Sequence, residues 1–276
     1  MEKRFIAGVF ATITIGVIIF FFYNKVLNYE EQVGIEKEMD FLISVLNSKL
    51  NETSSVALSS SLVLSKNPYI IKCLPRGNDA ACLEYIPDFE MIMEKHKVFK
   101  NMIIHLHASD HSKFICLNHH KTRAEITSAF TRKSLEKAEE TKEPVQGIEI
   151  GRYGIFKSVI VPIFEKDSYI GAIETVVFLK EYTEFFKNME IDLYILMKNS
   201  YLPTVSRVEY PEKLILKNYT IVNQETNTLT FLKDAEFSGT GYLKHGGKYI
   251  VYTPIIDANN DEVGYYVLSW TENKDR

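Results

Sequence analysis

Six of the seven histidines of this 276-residue chain fall within a short stretch: His96, His105, His107, His111, His119 and His120. His105 and His107 stand two apart in Met102-Ile103-Ile104-His105-Leu106-His107. That run alternates as a strand does, so the two imidazoles share one face. Beyond the turn-like Ala108-Ser109-Asp110-His111, a second strand-like run carries Cys116, and the two runs predict a hairpin. Imidazole and thiolate are borderline and soft donors, so His105, His107 and Cys116 form a candidate set for zinc, copper or nickel. The plainer alternative is a solvent-facing strand pair with histidines in loops. Imidazoles also titrate nearest neutrality, which leaves a pH-responsive role open.

Other polar residues fall where apolar ones are expected. Glu174 interrupts Ile170-Gly171-Ala172-Ile173-Glu174-Thr175-Val176-Val177. Its carboxylate either faces solvent or points inward toward a cation or amine. Arg132, Arg152 and Lys157 are the candidate cations. Arg152 follows Glu149 in a glycine-bracketed turn and is placed to clamp an anion through charge-assisted bonds or to make a structural ion pair. Tyr153, beside it, is placed to cover a pocket. No phosphate loop, nucleophile elbow or H-E-x-x-H run occurs, and Gly151-Arg152-Tyr153-Gly154 is not a dinucleotide fingerprint. Neither catalysis nor a cofactor is expected. A formal net charge of −4 is too mild to point to nucleic acid as a partner.

The elements that must position these groups begin with an apolar run at residues 5–23, preceded by Lys3 and Arg4 and followed by Lys25. It is long enough to cross a bilayer as one helix and lacks the A-x-A-like site of a cleavable leader. The basic residues before it predict a cytoplasmic N-terminus and a single pass through the inner membrane, with the bulk of the chain in the periplasm. A helical pattern over residues 27–64 follows, apolar at Ile35, Met39, Leu42, Leu46 and Leu50 and ended by Pro68. It predicts a stalk that pairs with its copy in a homodimer. Cys73 and Cys82 bracket a turn-like segment and could close a small loop by a disulfide. A second short helix is expected over residues 80–97, and another over residues 131–141.

Strands are predicted over residues 156–164 and 169–179, then over 193–197, 228–232, 240–244, 249–256 and 262–270. Val161-Pro162-Ile163 and Thr253-Pro254-Ile255 occupy the same place in two halves of the chain. Each precedes a polar turn and then Ile170-Gly171-Ala172 or Val263-Gly264-Tyr265. The echo predicts an α+β fold with two tandem antiparallel-sheet modules carried on one long helix.

The run 145–154, with Val161-Pro162-Ile163-Phe164 and Tyr169-Ile170-Gly171-Ala172-Ile173-Glu174, resembles the double Cache (tandem PAS-like) sensory domains of two-component kinases and chemoreceptors. The resemblance covers about residues 30–271. It implies a transmembrane anchor at 1–26, a stalk and short helices at 27–94, a membrane-distal ligand module at 95–189 and a membrane-proximal module at 190–276. It also implies a small, charged ligand in the distal module, with His105, His107, Cys116, Arg132, Arg152, Tyr153, Lys157 and Glu174 as its candidate contacts. The family commonly carries Arg where Cys116 stands and another near Lys157. A lysine offers charge without the bidentate fork. Members usually return through a second membrane helix to a cytoplasmic output domain, whereas this sequence stops six residues after Trp270. That implies a longer parent chain, a cytoplasmic output partner, or an anchored interaction protein whose pocket is vestigial.

Overall fold

A computed structural model describes residues 2–76, 95, 102–111, 113–116, 133–224 and 230–271. Two compact units divide the chain, Met1–Leu46 and Asn47–Arg276. Helix α1 runs from Glu2 to Ser65. Its C-terminal part tolerates many hydroxyls because they bond back onto the helix: Thr53, Ser54, Ser55 and Ser60 each donate to the carbonyl four residues earlier. Asn67 then caps helix α2 (Pro68–Cys73) by accepting from the Tyr69 amide at 2.9 Å, and Pro68 takes the first helical position. Cys73 is disulfide-bonded; its expected partner Cys82 lies outside the described residues, as does the helix expected at 80–97 apart from Lys95. Among the described residues no helix is long and apolar enough to cross a membrane. The side chains of residues 1–14, half of the expected span, lie outside that description.

The first sheet contains β1 (Met102–Ala108), β2 (Lys113–Cys116), β3 (Val145–Gly151), β4 (Gly154–Glu165) and β5 (Ser168–Phe178). Its order is β2-β1-β5-β4-β3 and all pairings are antiparallel. One face packs on α1 and α2. Ala57 meets Met102, Val159 and Val177, and Leu64 and Leu74 meet Ile104, Leu106 and Ile173. The other face is covered by helix α3 (Lys133–Thr141), whose Leu135 and Ala138 pack on Ile160 and Ala172.

Helix α4 (Tyr182–Lys187) leads to the second sheet. This comprises β6 (Asp192–Lys198), β7 (Tyr219–Ile221), β8 (Gly241–His245), β9 (Lys248–Ile256) and β10 (Glu262–Thr271). Its order, β7-β6-β10-β9-β8, repeats the first sheet strand for strand. Strand β7 falls in a region the sequence pattern left irregular, because only three residues pair before Asn223 takes over. The Asn223 side chain accepts from the Ile195 amide and donates to the Leu193 carbonyl, both at 2.7 Å, standing in for the next ladder residue. The strand expected at 228–232 is corrected: Thr230–Asp234 forms a 3₁₀ turn that buries Leu232 in the second core, and 225–229 lie outside the described residues.

The two sheets meet at an edge. Ile148 on β3 bridges Asp257 in the β9–β10 turn, and the Ala258 amide donates to the Ile148 carbonyl at 3.0 Å. A Cβ on Gly147 would stand 2.6 Å from that of Ala258, so the approach requires glycine.

Candidate functional site

The sheet register decides which side chains can meet. Glu174 on β5 lies opposite His105 on β1 and Ile160 on β4, and His107 lies opposite Ala172. Alternation therefore places His105, His107, Ser158 and Glu174 on the face beneath α3. Glu174 is fully buried, at 0% exposure, and His107 is 2% exposed. The solvent-facing alternatives for these residues are thereby excluded. Glu174 Oε2 lies 2.9 Å from His107 Nε2 and 3.2 Å from His105 Nδ1. The Ser158 hydroxyl donates to Glu174 Oε1 at 3.1 Å. The two imidazole rings stand edge to face, 6.3 Å apart and at 86°.

A second tier supports this centre. His107 Nδ1 lies 3.3 Å from the His111 carbonyl. His111 adopts a φ of 60° in the β1–β2 turn, and its Nε2 contacts Glu139 Oε2 of α3 at 2.8 Å. Burial, and then the Glu139 charge, push the Tyr169 phenol well above its usual range, and its ring abuts that of His111. On the same sheet face, Glu149 accepts from the Ser134 hydroxyl of α3. Helix α3 is thus tied by two polar contacts to the sheet it covers.

The other expected site residues lie apart from this centre. Lys157 points to the opposite face of β4, the side of Val159 and Ala57, where burial lowers its ammonium pKa. Arg152 and Tyr153 occupy the β3–β4 turn. That turn is six residues along β4 from Ile160, roughly 20 Å at strand rise. The Arg152 carbonyl accepts from the Arg207 amide at 2.9 Å, and Tyr153 is exposed. Cys116 is the register partner of His105; its side chain, like Arg132 and the histidines at 96, 119 and 120, lies outside the described residues. The sequence pattern missed Ser158 and the His111–Glu139 contact. Ser158 was legible as the one hydroxyl within the apolar run of β4. The pairing of His111 with a residue 28 positions away left no local trace.

Because both sheets have one topology, the second serves as an internal control. Gly171 and Gly264 are matched: a Cβ on either would collide with a backbone carbonyl of the adjacent strand, that of His107 or of Leu196. From this match the pairing registers equate Glu174 with Val267, His105 with Tyr194, His107 with Leu196 and Ser158 with Ile250. Those four counterparts form part of the second module's hydrophobic core. The polar centre is therefore a property of the first module and not of the fold.

Two tandem antiparallel sheets of one strand order, the first resting on a long N-terminal helix and enclosing polar groups on its other face, define a PAS-like sensory fold. Residues 40–270 match the double Cache family described as the double sensory domain of two-component sensor kinases, and the chain belongs to that family. Similar solved structures include the extracellular domain of the candidate histidine kinase vpHK1S-Z8 (TM-score 0.50, 12% identity, covering 86% of this chain and 93% of that one). A domain of a candidate sensory box/GGDEF family protein from Vibrio parahaemolyticus is similar too (TM-score 0.50, 11% identity, 86% and 96% coverage). A further match is the sensor domain of the V. cholerae histidine kinase DctB (TM-score 0.46, 12% identity, 86% and 100% coverage). At these identities the likeness concerns the fold. No curated protein matches the chain by sequence.

Proposed function

We propose that this chain is the extracytoplasmic sensor of a membrane-anchored signal-transduction protein, and that its first, membrane-distal module takes a small charged solute on the sheet face beneath α3. One observation carries the reading: a buried carboxylate and two buried imidazoles converge on that face, while the matched positions of the second module are apolar. A polar cluster of this kind is costly to bury and is retained where it recognises something. Anchoring is supported by the exposed apolar side chains from Ile15 to Leu27, with Phe20, Phe21 and Phe22 at 64–69% exposure. Such a surface suits lipid and not water.

Signalling follows from differential affinity for two conformers. Thr175, adjacent to Glu174 on β5, points to the α1 face, so a ligand drawing on Glu174 acts one residue from the helix. The test is thermal-shift screening of the full chain in detergent against amino acids, amines, carboxylates and divalent metal ions. A hit raises the melting temperature of the wild type and not of Glu174→Gln. If no compound moves it while a membrane-protein partner is captured through the first module, the sensory reading fails and an interaction role replaces it.

A further inference from the structure

We infer that His105, His107 and Glu174 bind a divalent first-row transition metal ion, an inference that rests on the sensory reading of the same face and names its ligand class. His105 Nδ1, His107 Nε2 and a Glu174 oxygen all lie within 4.8 Å of one another. Three atoms held about 2.0–2.1 Å from a tetrahedral ion stand about 3.3 Å apart. The separations from Glu174 Oε2, 2.9 and 3.2 Å, differ from that by only a few tenths of an ångström. Two imidazoles and one carboxylate suit zinc, cobalt, nickel or iron(II) and disfavour magnesium and calcium, which take oxygen donors.

The proton inventory points the same way. The His111 carbonyl only accepts, so His107 Nδ1 must donate to it. In the neutral ring Nε2 then carries a lone pair, and that lone pair faces a carboxylate oxygen at 2.9 Å. Two acceptors at that distance repel unless a proton or a metal ion lies between them. Either a proton, carried by an imidazolium or by a neutral Glu174 carboxyl, fills that place or a metal ion joins the two. The second option uses the arrangement common to metal-binding histidines, in which the far ring nitrogen donates to a carbonyl and fixes the tautomer. His111 in turn contacts Glu139 on α3. An ion at the centre is thus linked through one imidazole to the covering helix and through Glu174 to β5.

The full chain in detergent, stripped with a chelator, is titrated with Co²⁺ and then Zn²⁺. One equivalent of Co²⁺ is expected, with visible absorption typical of nitrogen ligation, displaced by Zn²⁺. Glu174→Gln and His107→Gln should each weaken Zn²⁺ binding by about 100-fold or more while keeping the far-ultraviolet dichroism of the chelated wild type. If Glu174→Gln fails to fold, the wild-type Co²⁺ spectrum and His107→Gln decide. No stoichiometric binding by the folded wild type, or binding that survives both substitutions, overturns the inference. An amino acid or amine that stabilises the chain through Glu174 while the metals do not would overturn it and leave the sensory reading standing. Metal bound by these three side chains with no change in amide exchange in β5, α1 or α3 would uphold it and sink the sensory reading.

Discussion

The hydroxyls of Ser61 on α1 and Thr175 on β5 lie 2.7 Å apart, both fully buried, between residues 114 positions apart in the chain. This is a polar rivet between helix and sheet beside the apolar contacts of Ala57, Leu64, Val159 and Ile173. Thr175 follows Glu174 directly, and alternation sends the two side chains to opposite faces. The candidate site and the helix are therefore joined through one peptide unit.

Breaking the rivet on one side leaves a buried hydroxyl without its partner. Ser61→Ala should cost about 1–3 kcal/mol. Adding Thr175→Val removes the orphan and restores most of the loss, since replacing both partners by apolar groups of similar shape is nearly neutral. Urea denaturation of the two single variants and the double variant checks this. In a sensor, the double variant should also decouple ligand-induced protection of β5 from that of α1 in hydrogen exchange.

Gly171 and Gly264 test the internal repeat. Gly171 has a φ of 147°, and a Cβ there would run into the His107 carbonyl. Gly171→Ala should destabilise the first module by more than about 1 kcal/mol, displace His107, and weaken binding at the centre. Gly264→Ala makes the same collision with Leu196 in the other sheet and should destabilise without touching the first centre. Paired melting and binding measurements separate the two effects. Equal loss of binding in both variants would contradict the assignment of the site to the first module.

What could be read beforehand followed from local physics. The long helix, its stop at Pro68, the hairpin carrying His105 and His107, and the paired Val-Pro-Ile and Thr-Pro-Ile strands all announce themselves through spacing and turn residues. The side of the sheet each polar residue faces did not, because that depends on register between strands far apart in sequence. Lys157 and Ser158 are neighbours, yet only Ser158 meets Glu174. Strand β7 was hidden for a related reason: a side-chain amide, Asn223, completes its ladder. The centre itself is assembled from β1, β4 and β5, so its histidine pair and the carboxylate of Glu174 left separate marks in the sequence, but their convergence left none.

Lys157 has a pH signature of its own. Burial lowers its ammonium pKa below the ordinary 10.5. The unfolded chain then binds more protons than the folded one between the two values, so stability rises with pH through that window and the penalty is full below it. Lys157→Met should raise the melting temperature at pH 7 and flatten its rise toward pH 10. A drop at pH 7 would instead show that the ammonium is a working cation of the α1 face.

The second module should carry a stabilising contribution that is lost at acid pH. Burial pushes the Glu262 carboxyl up, but bonds from Lys198 at 2.9 Å and the Tyr265 phenol at 2.8 Å, with the Lys198 charge, hold it below its ordinary 4.5. A depressed carboxyl contributes stability above its unfolded pKa and loses it as pH falls through the folded value. The contribution is intact at neutrality, begins to be lost below the ordinary 4.5 and is gone once pH has fallen past the lower folded value. Glu262→Gln should lower the melting temperature at pH 7 and lessen its decline between pH 5 and 3. The pair is about one-third exposed, so added salt should shrink the neutral-pH difference. Melting curves at three pH values and two ionic strengths decide the matter. An acid limb unchanged by the substitution would move the source of acid sensitivity to the carboxylates of the first module.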